Sequence, residues 1–252
     1  MGAFHGGEVA HAAAMHNLLS GSGNPRRAQT PARSALPQFS DLLSPWRVIA
    51  LLDYGSGNLR SVEKALRKVG ADLLVTTRPE PLRDARAVVL PGVGAFDDCI
   101  SAMQRQELLG AVKDFIRSGR PFLGICVGYQ ALFERSEEFN SCALGLGVFG
   151  GKVVRFKDQP GLKIPQIGWN QLEIVRPDCP LYAGIPTGSH VYFVHSFHPQ
   201  PTDAGIVATR TDYGGTFASS VWRDNVFATQ FHPEKSQAVG LRLLQNFVSL
   251  AA

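Results

Sequence analysis

The sequence predicts an α/β fold: a mostly parallel central sheet with helices on both faces, plus an antiparallel extension. Three observations carry this reading. Short, continuous apolar runs alternate with segments of helical period through the first half of the chain from Val48. Two of those runs end in glycine-rich turns, at Tyr54-Gly-Ser-Gly57 and Pro91-Gly-Val-Gly94. The second half changes to short strands at close spacing.

VIALLD (residues 48–53) is apolar without alternation, as a strand buried on both faces must be. NLRSVEKALRKVG then sets Leu59, Val62, Leu66 and Val69 at helical spacing and stops at Gly70. ADLLVTT and AVVLPGVG supply the second and third strands. Residues 97–118 are expected as one long helix, with Ile100, Met103, Leu108, Val112, Phe115 and Ile116 as its buried stripe. PFLGI is the fourth strand and VGYQALFERSEE the helix after it. GVFGGKVVRF, NQLEIVR, HVYFVHSF, AGIVATR, TFASSVW and NVFATQF read as antiparallel additions to the sheet, and an amphipathic helix runs from Glu234 to the end. No internal repeat is present.

The 252 residues are 44% hydrophobic and 18% charged, enough for one sizeable core. The net charge of +4 is scattered and not gathered into a stripe, which argues against nucleic acid as a partner. Four cysteines with no C-x-x-C pair make neither a disulfide scaffold nor a zinc ribbon and fit a reducing cytoplasm. No apolar run approaches the roughly 18 to 20 residues a membrane span needs. Residues 1–46 are rich in Ala, Gly, Ser and Pro without a sustained period and are expected as a disordered extension, leaving 47–252 as the folded domain. They lack the charged start and compact apolar core of a signal peptide.

In open α/β sheets the reacting groups gather at the carboxyl ends of the strands, and three motifs fall there. The first is Gly124-Ile-Cys126-Val-Gly128, a cysteine where a buried strand becomes a helix. A sharp strand-to-helix turn exposes its central side chain but needs small neighbours two residues either side, whereas a packing cysteine needs neither glycine. The second is His232-Pro-Glu234: in an extended segment residues two apart share a side, so the carboxylate can orient the imidazole towards a thiol. The third is Pro91-Gly-Val-Gly94, a candidate oxyanion hole that a plain tight turn explains equally well. His190, His195 and His198 lie along an apolar strand with no carboxylate or cysteine partner, so no metal site is read from them. GSGNL lacks the third glycine of a dinucleotide loop, and no cofactor is expected.

GICVGYQ, ATQFHPEKS and VLPGVGAF together resemble the cysteine, histidine–glutamate and oxyanion elements of class I (triad) glutamine amidotransferases, whose fold is flavodoxin-like. DYGSGNLRSV, PGVGAF, GICVGYQALFERSEE, IPQIGWN, YFVHSF and FHPEKS resemble, more narrowly, the glutaminase subunit of imidazole glycerol phosphate synthase in histidine biosynthesis. The likeness runs from about Val48 to the C-terminus. It implies Cys126 as nucleophile, His232 as base and Glu234 as orienter, with the oxyanion bound near Val93–Gly94 and at Val127. It further implies that Gln130, Ser196 and Phe197 hold the amino-acid end of glutamine. Asn58, Trp169, Asn170 and Lys235 match motifs facing a partner, a (β/α)₈ cyclase subunit that receives the ammonia in a heterodimer. Gln166 stands where the family commonly has histidine, at a position associated with that interface, and Phe197 where tyrosine is more usual. An alternative within the fold is a glutaminase subunit for anthranilate, pyridoxal phosphate or nucleotide synthesis, against which DYGSGNL and IGWN argue. A catalytically silent scaffold subunit is a further alternative, against which the intact Cys126, His232 and Glu234 argue.

Overall fold

Uninterrupted apolar runs have no solvent face, and in the computed structural model the corresponding strands are covered on both sides. The structure describes residues 48–55 and 57–251, so the expectation for residues 1–46 lies outside the described residues. In chain order, β1 (Ile49–Leu52) leads to α1 (Leu59–Lys68), β2 (Leu73–Thr76), β3 (Ala87–Leu90), α2 (Phe96–Arg105), α3 (Leu108–Arg117), β4 (Phe122–Ile125) and a single turn, α4 (Val127–Gln130). Next come β5 (Arg135–Ser136), β6 (Gly151–Arg155), β7 (Gln166–Gln171), β8 (Glu173–Ile174), β9 (His190–His195) and β10 (Phe197–Pro201). The chain ends with β11 (Val207–Asp212), β12 (Thr216–Arg223), β13 (Val226–Thr229) and α5 (Gln237–Leu250). Every residue of β1, β3, β4 and β13 is buried.

The central sheet has the order β2-β1-β3-β4-β13-β12-β11-β8. Its first five strands are parallel, and β12, β11 and β8 continue it antiparallel. β10, β6 and β5 form a second sheet, and β7 pairs antiparallel with β9 in a two-stranded ribbon. α1 packs with α5, and α2 with α3.

Three expectations need correction. The single helix over 97–118 is two, because Glu107 adopts a left-handed conformation (φ 58°) between α2 and α3. The break leaves Leu108, Val112 and Phe115 buried on the second helix as Ile100 and Met103 are on the first. The helix after Cys126 stops at Gln130, since the backbone of the following loop competes for its carbonyls: Leu146 N–H donates to Ala131, Val148 to Leu132 and Gly145 to Glu134. The second-half strands are not all antiparallel additions to the sheet. NVFATQF becomes β13, which lies parallel to β4, and two groups of strands form separate sheets. Strand propensity and spacing do not encode which neighbour a strand meets.

Candidate active site

Four loops leave the carboxyl ends of the adjacent strands β1, β3, β4 and β13, on either side of the point where the strand order reverses. They carry Asn58, Val93–Gly94, Cys126 and His232–Glu234, so residues 174 positions apart in sequence become neighbours by strand order alone.

Cys126 sits between β4 and α4 at φ 55°, ψ −108°, a conformation L-residues avoid and one that costs on the order of 1–3 kcal/mol. Its N–H donates to the Thr229 carbonyl (2.8 Å), which ties the elbow to β13. The flanking glycines are required by space. A Cβ on Gly124 lies 2.8 Å from the Gly128 carbonyl oxygen, and one on Gly128 runs into the carbonyl oxygen of Leu90. Cys126 is itself 4% exposed.

His232 Nδ1 lies 2.7 Å from Glu234 Oε1, both side chains almost wholly excluded from solvent. The same oxygen accepts a hydrogen bond from Asn58 Nδ2 at 2.6 Å. A carboxylate oxygen only accepts here, so Nδ1 of His232 carries the proton and Nε2 is the atom left for chemistry. Nε2 is buried and faces Cys126, whose sulfur acts on the imidazole by charge and by hydrogen bonding. Burial lowers the pKa of this imidazole. The charge of the Cys126 sulfur, aided by Glu234, outweighs burial and raises it from 6.5 to about 10. The imidazole is thus held ready to take the Cys126 thiol proton and keep it.

A cavity of about 390 Å³ opens over this pair. Its wall includes Cys126, His232 and all six residues expected to hold substrate: Val93, Gly94, Val127, Gln130, Ser196 and Phe197. Gly94 has φ 97°, open to glycine and strained for other residues. Gln130 is buried, and its amide nitrogen donates to the Phe197 carbonyl (3.0 Å) and to Gln230 Oε1 (3.2 Å). With both hydrogens committed, its Oε1 is the atom that can accept from an ammonium group.

Two further wall residues lie in the stretches GICVGYQALFERSEE and YFVHSF without a role at the site assigned to them there. Glu138 is half-buried, with one carboxylate oxygen accepting from Phe96 N–H (2.7 Å) at the start of α2. Burial, chiefly, raises its pKa, with the Phe96 bond opposing. His195 donates from Nδ1 to the Phe197 carbonyl (2.8 Å), and burial pushes its pKa down to about 3, so it stays neutral. Neither was assigned to the site beforehand, because Glu138 stands at the end of a stretch expected as a helix, which stops at Gln130 instead, and His195 reads as part of an apolar strand.

The residues expected at a partner divide. Trp169 is 46% exposed on β7 beside Ile167, 63% exposed, and both project from the ribbon. Lys235 is exposed, lines the cavity and places its ammonium 5.7 Å from the Tyr192 ring centroid. Asn170 donates to the Asp212 carbonyl at 2.8 Å, and Asn58 is engaged with Glu234 as described. Gln166 faces inward instead: it is 2% exposed and pairs in register with His195. A β-strand alternates its faces, and Ile167 and Trp169 hold the outward one.

Comparison with known proteins agrees with this geometry. Residues 50–250 match the family model of glutamine amidotransferase class-I. The HisH subunit of imidazole glycerol phosphate synthase from Syntrophotalea carbinolica is 51% identical over 208 residues, covering 79% of this chain and 98% of that protein. The HisH subunit from Thermosynechococcus vestitus is 51% identical over 203 residues, covering 80% and 96%. A crystal structure of a glutamine amidotransferase shares the fold with a TM-score of 0.64 at 22% identity, covering 81% of this chain and 98% of its own. PurLQS from Thermotoga maritima does so with 0.65 at 20% identity, covering 81% and 98%. An elbow cysteine, a buried histidine–glutamate pair and half-identity across nearly the whole of two relatives lead to one assignment: the chain belongs to the class-I glutamine amidotransferases, in the family of HisH subunits of imidazole glycerol phosphate synthase.

Proposed function

We propose that Cys126, His232 and Glu234 act as a triad that hydrolyses the side-chain amide of glutamine to glutamate and ammonia, for imidazole glycerol phosphate synthase in histidine biosynthesis. The observation that carries the reading is the His232 imidazole, bonded at 2.7 Å to a buried carboxylate and coupled by charge to a strained cysteine on the wall of one cavity.

The chemistry begins with His232 Nε2 taking the Cys126 thiol proton. The Cys126 thiolate adds to the amide carbon, and the new oxyanion is held by backbone N–H groups of the Val93–Gly94 turn and of Val127. His232 Nε2–H gives its proton to the departing nitrogen, which leaves as ammonia, and a γ-glutamyl thioester remains. The neutral imidazole then takes a proton from water, hydroxide adds to the thioester, and glutamate leaves as the thiolate reforms. Glu234 fixes the imidazole tautomer throughout. Gln130 Oε1 and the Glu138 carboxylate present acceptors to the substrate ammonium, and Ser196–Phe197 line the same end.

The ammonia passes to a partner subunit, which we take to be a (β/α)₈ cyclase forming a heterodimer with this chain in the cytoplasm. The exposed Ile167 and Trp169, with Lys235 at the cavity mouth, form the docking edge. Among the described residues no helix is long and apolar enough to cross a membrane. The test measures glutamate release from glutamine with and without the cyclase and its ribotide ligand. We expect slow release alone and strong activation by the complex, abolished in both conditions by Cys126→Ala. Equal high rates with and without the cyclase would remove the coupling, and full activity of Cys126→Ala would remove the triad.

A further inference from the structure

We infer that Gln230 is a further catalytic residue, its side-chain amide nitrogen donating a hydrogen bond to the Cys126 sulfur and stabilising the thiolate. The inference rests on Cys126 being the nucleophile, and adds a group that meets the reacting atom without lining the cavity.

Gln230 follows β13 directly and is fully buried. It lies two residues before His232, in the bend that follows β13, and the side chains of both meet the Cys126 sulfur while Phe231 between them is fully buried. The backbone holds this register, with Gln230 N–H donating to Ser219 (2.8 Å) and Cys126 N–H to Thr229 (2.8 Å).

The orientation of the amide is dictated by its neighbours. The Phe197 carbonyl can only accept, so Gln130 must present its nitrogen there. The other hydrogen of that nitrogen goes to Gln230, which must answer with Oε1 at 3.2 Å. That turns Gln230 Nε2 towards Cys126, and the structure places it 3.7 Å from Sγ. The larger radius of sulfur makes this a donor–acceptor contact. A donor fixed in a dry, low-dielectric setting strengthens its bond to an anion and costs no reorganisation when charge develops. The bond favours thiolate over thiol, which has little to gain from a donor. A glutamine that merely filled space would need no polar neighbour at either end of its amide.

The test is the pH dependence of Cys126 alkylation by iodoacetamide in the full-length chain, read at the Cys126 peptide by mass spectrometry. Burial pushes the Cys99 and Cys179 thiols up to about 12 and about 11, so they do not compete near neutral pH, and exposed Cys142 is resolved by its own peptide. Gln230→Met conserves volume and removes the donor. We expect the apparent Cys126 pKa to rise by about one unit and glutaminase kcat/KM to fall about tenfold, the size of one hydrogen bond to a charged group. Gln230→Asn keeps an amide but withdraws it by one methylene, and is expected to shift the pKa in the same direction. Circular dichroism confirms folding, and should Gln230→Met not fold, the Asn variant decides. An unchanged alkylation profile in the folded variant overturns the inference. Cys126→Ala separates the two claims: if it retains glutaminase activity, the nucleophile is misassigned. If it is inactive while the Gln230 variant keeps the wild-type profile, only the role of Gln230 fails.

Discussion

Glu234 Oε1 accepts from two side chains, His232 and Asn58, at 2.7 and 2.6 Å. Removing the Asn58 amide leaves a buried carboxylate with one donor fewer, a loss of about 1–3 kcal/mol. Asn58→Ala should therefore lower kcat about tenfold or more even without a partner subunit, while KM for glutamine changes little. The effect should shrink in a Glu234→Gln background, because both changes act through one carboxylate. Additive losses in steady-state kinetics would make Asn58 a contact residue only. The raised pKa of His232 gives a second outcome at this scale. The folded chain keeps the imidazole proton up to about pH 10, whereas an unfolded histidine releases it near 6.5. The contribution to stability is complete below about 6.5 and disappears as pH rises through about 10. Cys126→Ser removes the strongest influence raising this pKa, so the His232 resonance followed by NMR should titrate at lower pH than in the wild type.

The elbow shows how an element is set by what lies under it. Gly128 faces the Leu90 carbonyl at the end of β3, and Gly124 faces Gly128 across the turn. The obstructing atoms are backbone, so no side-chain rotamer relieves the clash. Gly128→Ala should destabilise the fold by about 1–3 kcal/mol or more and displace Cys126 from His232. Thermal denaturation checks the first and glutaminase activity the second. The β7–β9 ribbon makes the converse case, with one face anchored by buried Gln166, Val191, Phe193 and His195 and the other carrying exposed Ile167 and Trp169. His232 N–H also donates to Tyr192 of this ribbon at 2.9 Å, so the face we propose for the partner is bonded directly to the His232 backbone.

For the molecule as a whole, the site is a product of strand order. Cys126 and His232 become neighbours because β13 inserts beside β4, with Thr229 level with Ile125. The ribbon that carries exposed Ile167 and Trp169 is tied to the same loops through the Tyr192–His232 bond. Trp169→Ala should leave stability within about 0.5 kcal/mol, as surface substitutions do. It should weaken binding of the partner subunit by at least 2 kcal/mol, as a buried interface tryptophan does. Denaturation and titration calorimetry separate the two, and unchanged affinity would move the docking face elsewhere.

Local physics is written in the sequence directly. Runs such as Ala87-Val-Val-Leu90 can only be interior strands, Gly70 stops α1, and the two glycines around Cys126 mark a turn too tight for side chains. Cys126 was legible as a candidate through its steric flank, whereas His232 and Glu234 were picked by strand alternation and instead meet across a 3-10 turn over Pro233–Lys235. Tertiary structure alone decided the rest. It broke the helix over 97–118 at Glu107, ended α4 after one turn, turned Gln166 inward, brought Glu138 and His195 to the cavity wall and set Gln230 against the cysteine. Those outcomes depend on which distant backbone competes for a carbonyl, or which buried amide faces which acceptor. Contacts between residues a hundred positions apart leave no period or spacing in the chain to read.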